Sequence, residues 1–129
     1  MKPKINLNSS LFFEYQGNIY SGNFHPKWKI PHGQGRIFYK NRDEYKGNFQ
    51  FGKPNGSGHF VYNKGGYYIG NFKNGLFSGF GKLVSINGKV FQGLFKNGLK
   101  HGDGKITDNS GKEICGKWVN GNLVDKAQS

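Results

Sequence analysis

The sequence predicts an all-β protein: an elongated, single-layer antiparallel sheet of stacked β-hairpin repeats, open at both ends and without a helical core. Three observations predict it. One stretch recurs at a fixed interval, with its best copies starting at Tyr45, Tyr68 and Phe91, and a fixed period decides architecture before local propensity does. Within each copy, apolar and polar residues alternate with the period of two that a strand imposes. The chain holds 22 glycines beside 12 Phe and 7 Tyr. Disordered sequences are poor in aromatics, so this pairing reads as tight turns between strands anchored by rings.

The repeat is clearest from Tyr68 to Gly81, Y-I-G-N-F-K-N-G-L-F-S-G-F-G. It consists of Tyr-x-Gly-x-Phe, a Lys-Asn-Gly turn, then Gly-x-Gly. Copies start at Tyr20, Tyr45, Tyr68, Phe91 and Ile114; the last three intervals are 23 residues and the first is 25. The longer interval traces to two extra residues around Pro26 to Pro31. This insertion is expected to lengthen a loop and leave the strands in register.

Taken in order, residues 1–9 are polar and are expected to be a flexible N-terminus. Residues 10–19 read as a half repeat that caps the stack. Gly17 stands three residues before Tyr20, as Gly65 does before Tyr68, and Phe12 takes the place of Ile37, Phe60, Leu83 and Ile106. Repeats then run over 20–44, 45–67, 68–90 and 91–113. A partial unit at 114–121 keeps Gly116, Trp118 and Asn120-Gly121 but is followed by no Gly-x-Gly. Asn-Gly pairs at 74–75, 87–88, 97–98 and 120–121 predict hairpin turns, because both residues tolerate positive φ. Arg42 stands where the other units carry a turn glycine, so that turn is expected to be built differently. The tail, 122–129, is expected to form a short helical turn or to fray.

Aligned copies give columns. Tyr20, Tyr45, Tyr68, Phe91 and Ile114 form one ladder, and Phe24, Phe49, Phe72, Phe95 and Trp118 a second. Ile37, Phe60, Leu83 and Ile106 form a third. The glycines of Tyr-x-Gly and Gly-x-Gly leave bare backbone on which rings from adjacent strands can lie. Burial of each ring stabilises by about 1.5–3 kcal/mol. A lone hairpin is marginal, and stacking three or more gives a continuous core.

The net charge is +12, and none of the seven acids falls between Tyr45 and Gly102. A field of one sign favours anionic partners, although lysine rows also serve as plain solubility devices and protect sheet edges. Arg36, His59, Lys82 and Lys105 hold equivalent positions and should line one face, opposite the Ile37–Leu83 ladder. The single cysteine, Cys115, allows no internal disulfide, which fits a reducing intracellular, cytoplasmic setting. No signal-peptide core follows the basic start, and no apolar run reaches the length of a transmembrane helix.

Catalytic constellations fail on spacing. Gly102-Asp103-Gly104-Lys105 lacks the first glycine and the hydroxyl residue of a phosphate loop. The dinucleotide pattern fails because Phe38, Val61, Val84 and Thr107 stand where its third glycine belongs. Four histidines are scattered rather than clustered, which suits turn hydrogen bonding better than metal ligation. Asp108 and Glu113 flank a turn and are expected to meet Lys112 or Lys105. No catalytic, cofactor or metal residue is assigned, no small-molecule substrate is implied, and no stretch within these residues remains for a catalytic domain.

Tyr-x-Gly-x-Phe, a short turn and Gly-x-Gly at a 23-residue period resemble the membrane occupation and recognition nexus (MORN) repeat. His32-Gly33-Gln34-Gly35 and His101-Gly102-Asp103-Gly104 are close to the frequent His-Gly-x-Gly of that family. The resemblance covers residues 20–121. Asn55-Gly56 and Ser78-Gly79 depart from it, as do the insertion and the incomplete last unit. It implies a non-enzymatic interaction or scaffold protein, a structural subunit of a larger cytoskeletal, ciliary or membrane-associated assembly. It also leaves room for peripheral binding to anionic phospholipid through the basic face. A partner protein or a second copy of the sheet is expected at Tyr39, Tyr62, Phe77, Phe80, Lys73, Lys82 and Lys96. Nucleic acid fits less well, because the ladders already use most of the rings that base stacking needs.

Overall fold

Each copy of Tyr-x-Gly-x-Phe folds as one strand, and each Gly-x-Gly lies in the strand that pairs with it. The computed structural model describes residues 3–7 and 10–127. Twelve strands follow in chain order: β1 (Pro3–Leu7), β2 (Ser10–Tyr15), β3 (Asn18–Phe24), β4 (Pro31–Phe38), β5 (Glu44–Gln50), β6 (Lys53–Val61), β7 (Tyr67–Lys73), β8 (Leu76–Val84), β9 (Val90–Lys96), β10 (Leu99–Thr107), β11 (Glu113–Val119) and β12 (Asn122–Lys126). They form one antiparallel sheet in which each strand pairs only with its sequence neighbours. The described residues contain no helix.

A single sheet has no second layer to bury its apolar face, so this one buries rings against its own backbone. Tyr20, Tyr45 and Tyr68 are fully buried, and Phe49, Phe72, Phe91, Phe95 and Trp118 nearly so. The glycines make this possible. A Cβ on Gly58 would lie 2.2 Å from the Tyr45 ring, and one on Gly81 would lie 2.4 Å from the Tyr68 hydroxyl. The buried phenols still need a partner. Tyr20, Tyr45 and Tyr68 donate to the carbonyls of Asn23, Asn48 and Asn71 at 2.6, 2.7 and 2.8 Å. In each of these three hairpins a bulge between the glycine pair and the turn carries that carbonyl.

The first two ladders interlock edge to face. Tyr45 meets Phe49 of its own strand at 5.1 Å and Phe72 of the next unit at 4.8 Å. Tyr68 repeats this with Phe72 at 5.1 Å and Phe95 at 5.2 Å. Phe91 closes the series on Trp118 at 5.0 Å. Each such pair adds about 0.5–1.5 kcal/mol to its burial.

The insertion behaves as expected: Gly22 faces Gly35 as Gly47 faces Gly58, so the extra residues stay in the loop. Four expectations are corrected. Phe13 rather than Phe12 stands opposite Tyr20, in the place that Ile37 holds on the other side of that strand. Over residues 3–7 the expected flexible lead is β1, paired to β2; the rest of 1–9 lies outside the described residues. The tail is neither helical nor frayed over 122–126. There it forms β12, because Asn120-Gly121 makes a tight turn (φ +48° and +92°) that returns the chain along the open side of β11. Residues 128–129 lie outside the described residues. Arg42 does not change its turn: it takes φ +73° itself. Its amide donates to Tyr39 O as that of Gly65 does to Tyr62 O. Asn41 braces the bend by bonding Asp43 through both its amide oxygen and its amide nitrogen.

Candidate interaction surface

The ladder face is the site's floor, and alternation decides what stands on it. Tyr39 and Tyr62 continue the parity of Ile37 and Phe60 past the ends of β4 and β6. They therefore lean over the third ladder, with Phe60 6.0 Å from Tyr39 and 5.0 Å from Tyr62. Phe77 opposes Phe72 across the hairpin and stacks on Tyr68 at 3.8 Å, nearly parallel. Together with Pro54 and Leu76 these rings line an open apolar cavity of ≈ 240 Å³. A second hollow beside it, ≈ 390 Å³, lies between Tyr62, Leu83 and Ile86. Burial, reinforced by Asp43, pushes the Tyr39 phenol up to about 12 and raises that of Tyr62. Both hydroxyls are therefore neutral donors at any physiological pH.

The expected contact residues do not form one surface. Tyr39, Tyr62 and Phe77 share the ladder face. Phe80 pairs with Leu94 on the opposite face and is 60% exposed. Lys82 pairs with Ile69 and Gln92 there, and Lys73 and Lys96 precede turns on that same side. Alternation accounts for the split, since Phe77 and Phe80 are three positions apart; the bulge sets four positions of β8 against two of β7, an even difference that keeps Phe77 on the face of Gly81 and Leu83.

The opposite face carries the basic row in register. Arg36 faces Lys46, Lys46 faces His59, and the line runs on through Ile69, Lys82, Gln92 and Lys105. Glu44 pairs with Arg36 at 2.5 Å and Glu113 with Lys105 at 3.2 Å. Lys46 and Lys82, between them, have no ion pair among the described residues.

The remaining polar candidates serve the turns. His32 and His101 accept through Nδ1 from the amides of Phe51 and Asn120, 3.1 and 3.3 Å away, in the next hairpin's turn. Asn55 does the same for Asn74 at 3.1 Å. Asp108 accepts from Ser110 and from the Lys112 amide, and these bonds, the Ser110 hydroxyl first, lower its pKa. Glu113 does meet Lys105, as expected. One grouping escaped the sequence: the insertion loop folds His25 onto Trp28 at 4.5 Å and beside His32 at 5.0 Å, with Phe51 against all three. No cluster of three or more metal-ligating side chains occurs among the described residues. Also missed were Pro54 and Leu76 as cavity lining, and Lys100 on the ladder face. Aligning the residues just after each turn glycine would have exposed that column.

A family model for the MORN repeat matches residues 45–67, 68–90 and 91–113. These spans have the boundaries read from the sequence. A comparison with curated proteins gives no significant match. Among the described residues no helix is long and apolar enough to cross a membrane.

Proposed function

Since the chain belongs to the MORN-repeat family, we propose that it works as a non-enzymatic scaffold, a structural subunit that holds a partner protein on its ladder face. One observation carries this reading: the cavity between Tyr39, Phe60, Tyr62 and Phe77 remains open, and these four rings stay half-buried beside a row from Phe49 through Phe72 and Phe95 to Trp118 that is buried. An apolar hollow with a few fixed polar groups is the usual form of a recognition site. The family's cytoskeletal, ciliary and membrane-associated settings are the expected assemblies, and self-association through the same face is the homotypic version of this role.

The split between the two faces makes the test selective. Wild type, Tyr62→Ser and Phe80→Ser are used as bait in native pull-downs from the source extract, washed at low and then high salt. A stoichiometric protein should survive high salt on wild type and Phe80→Ser and be lost on Tyr62→Ser. Loss on Phe80→Ser alone would move the contact to the other face.

A second reading rests on the registered row from Arg36 to Lys105, in which Lys46 and Lys82 have no ion pair among the described residues. Peripheral attachment to anionic membrane would draw about 1 kcal/mol from each lysine near the surface. Phosphatidylserine vesicles would then bind at low salt and release as screening tightens. Lys46→Gln with Lys82→Gln should weaken that binding and leave any ladder-face partner attached.

A further inference from the structure

In every unit one residue of the second strand stands opposite the second ladder. Pro31 faces Phe24, Pro54 faces Phe49, Phe77 faces Phe72, Lys100 faces Phe95 and Leu123 faces Trp118. Four members of this column are apolar and one is a cation. Lys100 does not turn away to solvent. Its Nζ lies 5.1 Å from the centre of the Phe91 ring, and its stem helps wall a cavity of ≈ 240 Å³ with Leu83, Ile86, Val90 and Ile106. Partial burial first, and Lys89 second, lower its pKa.

Among the described residues no carboxylate pairs with this charge. The ion pairs among the described residues engage Arg36, Lys105 and Lys117. Asp103 faces Lys117 on the opposite side of the sheet, and Asp108 is held within its own turn. A half-buried ammonium on an apolar face with no counter-charge is a receptor for an anionic group, because pairing there recovers lost solvation. Phe77 and Lys100 lie on β8 and β10, two strand spacings or about 10 Å apart. Three residues of a polyproline II segment span nearly the same distance, at about 3.1 Å each, and its three-residue turn sets residues three apart on one face.

We propose that the ladder face receives a polyproline II segment of a partner protein in which an Asp or Glu meets Lys100 and an apolar side chain three residues away enters the hollow at Phe77. This rests on the scaffold reading above and names the chemistry of the partner. A membrane suits the recess poorly: Lys100 is a single cation set among rings, whereas the flat row on the other face is open to a surface. A nucleic-acid backbone likewise calls for a series of cations.

The probe is a library of random dodecapeptides displayed on phage and selected on the full chain. Selected peptides are then titrated against wild type, Lys100→Met and Tyr62→Ser, each checked for an unchanged melting temperature. The expected consensus is an acid three residues from a large apolar residue. Lys100→Met should weaken such a peptide about tenfold. It should leave the peptide's Glu→Gln analogue nearly unaffected, a non-additivity that marks direct pairing. Peptides that depend on Tyr62 but lack the acid, or ignore Lys100→Met, overturn this inference and leave the scaffold reading standing. Absence of selected peptides, or binding indifferent to Tyr62, overturns both. Lys100-dependent capture of phosphatidylserine vesicles without any peptide would also overturn it, in favour of a lipid site.

Discussion

Tyr45 illustrates how one residue type can be required by another. Its ring lies flat on Gly58 and its hydroxyl reaches Asn48 O, so the motif Tyr-x-Gly-Asn and the distant Gly-x-Gly are two halves of one contact. Phe91 keeps the ring without the hydroxyl. There Leu94 replaces the asparagine, and Lys100 lies over the ring's open face. Two substitutions separate the uses of glycine. Gly58→Ala places a methyl inside the Tyr45 ring and should cost about 3 kcal/mol in denaturant unfolding. Arg42→Gly should instead stabilise by about 1 kcal/mol, because Arg42 now carries the left-handed strain that Gly65 avoids. A neutral result for Gly58→Ala would mean that the ring does not lie where it is described.

Among the elements, the hairpin is the unit of sequence, but the interlocking rings make the pair of hairpins the unit of stability. Each tyrosine or phenylalanine of the first ladder touches the second-ladder ring of the following unit, so a unit at the end lacks one side of its packing. Trp118 serves β11 and β12 in this way, closing on Phe91 from a unit with no successor. Trp118→Ala should cost about 3–5 kcal/mol. The loss should be local, since repeat arrays couple nearest neighbours. Hydrogen exchange is the measurement: protection should vanish over 113–126 and persist over 45–84. Uniform loss across the sheet would indicate one cooperative block instead.

For the whole molecule, the ladder of buried phenols sets an alkaline limit. Burial pushes Tyr20 and Tyr68 up to about 12 from an ordinary value of 10.0, and raises Tyr45 as well. A folded pKa above the unfolded one means that the neutral phenol stabilises the fold. That contribution is complete below pH 10 and is lost as pH rises through about 12. Phenolate absorbance and circular dichroism should therefore change together in that window. Ionisation of these tyrosines with the strands intact would contradict their burial. The same scale holds the separation of charge: an apolar, largely ring-lined face on one side and a registered basic row on the other give the sheet two chemically different surfaces.

What the sequence determined by itself was whatever depends on a period. A 23-residue repeat with alternation of two makes strands, turns, order and ladders follow from counting, because each unit meets only its neighbours. It also placed the basic row, since Arg36, His59, Lys82 and Lys105 are equivalent by position. The tertiary structure alone decided what lies beyond the counted spacing. The bulge sets four positions of β8 against two of β7, and so it brought Phe77 opposite Phe72 and onto the Tyr68 ring. Backbone pairing rather than composition decided the tail: β12 forms because β11 would otherwise present unpaired amides and carbonyls along its length. Lys100, one lysine among many in the sequence, became distinct only when the register set it in an apolar column over Phe91, where a charge has few places to go.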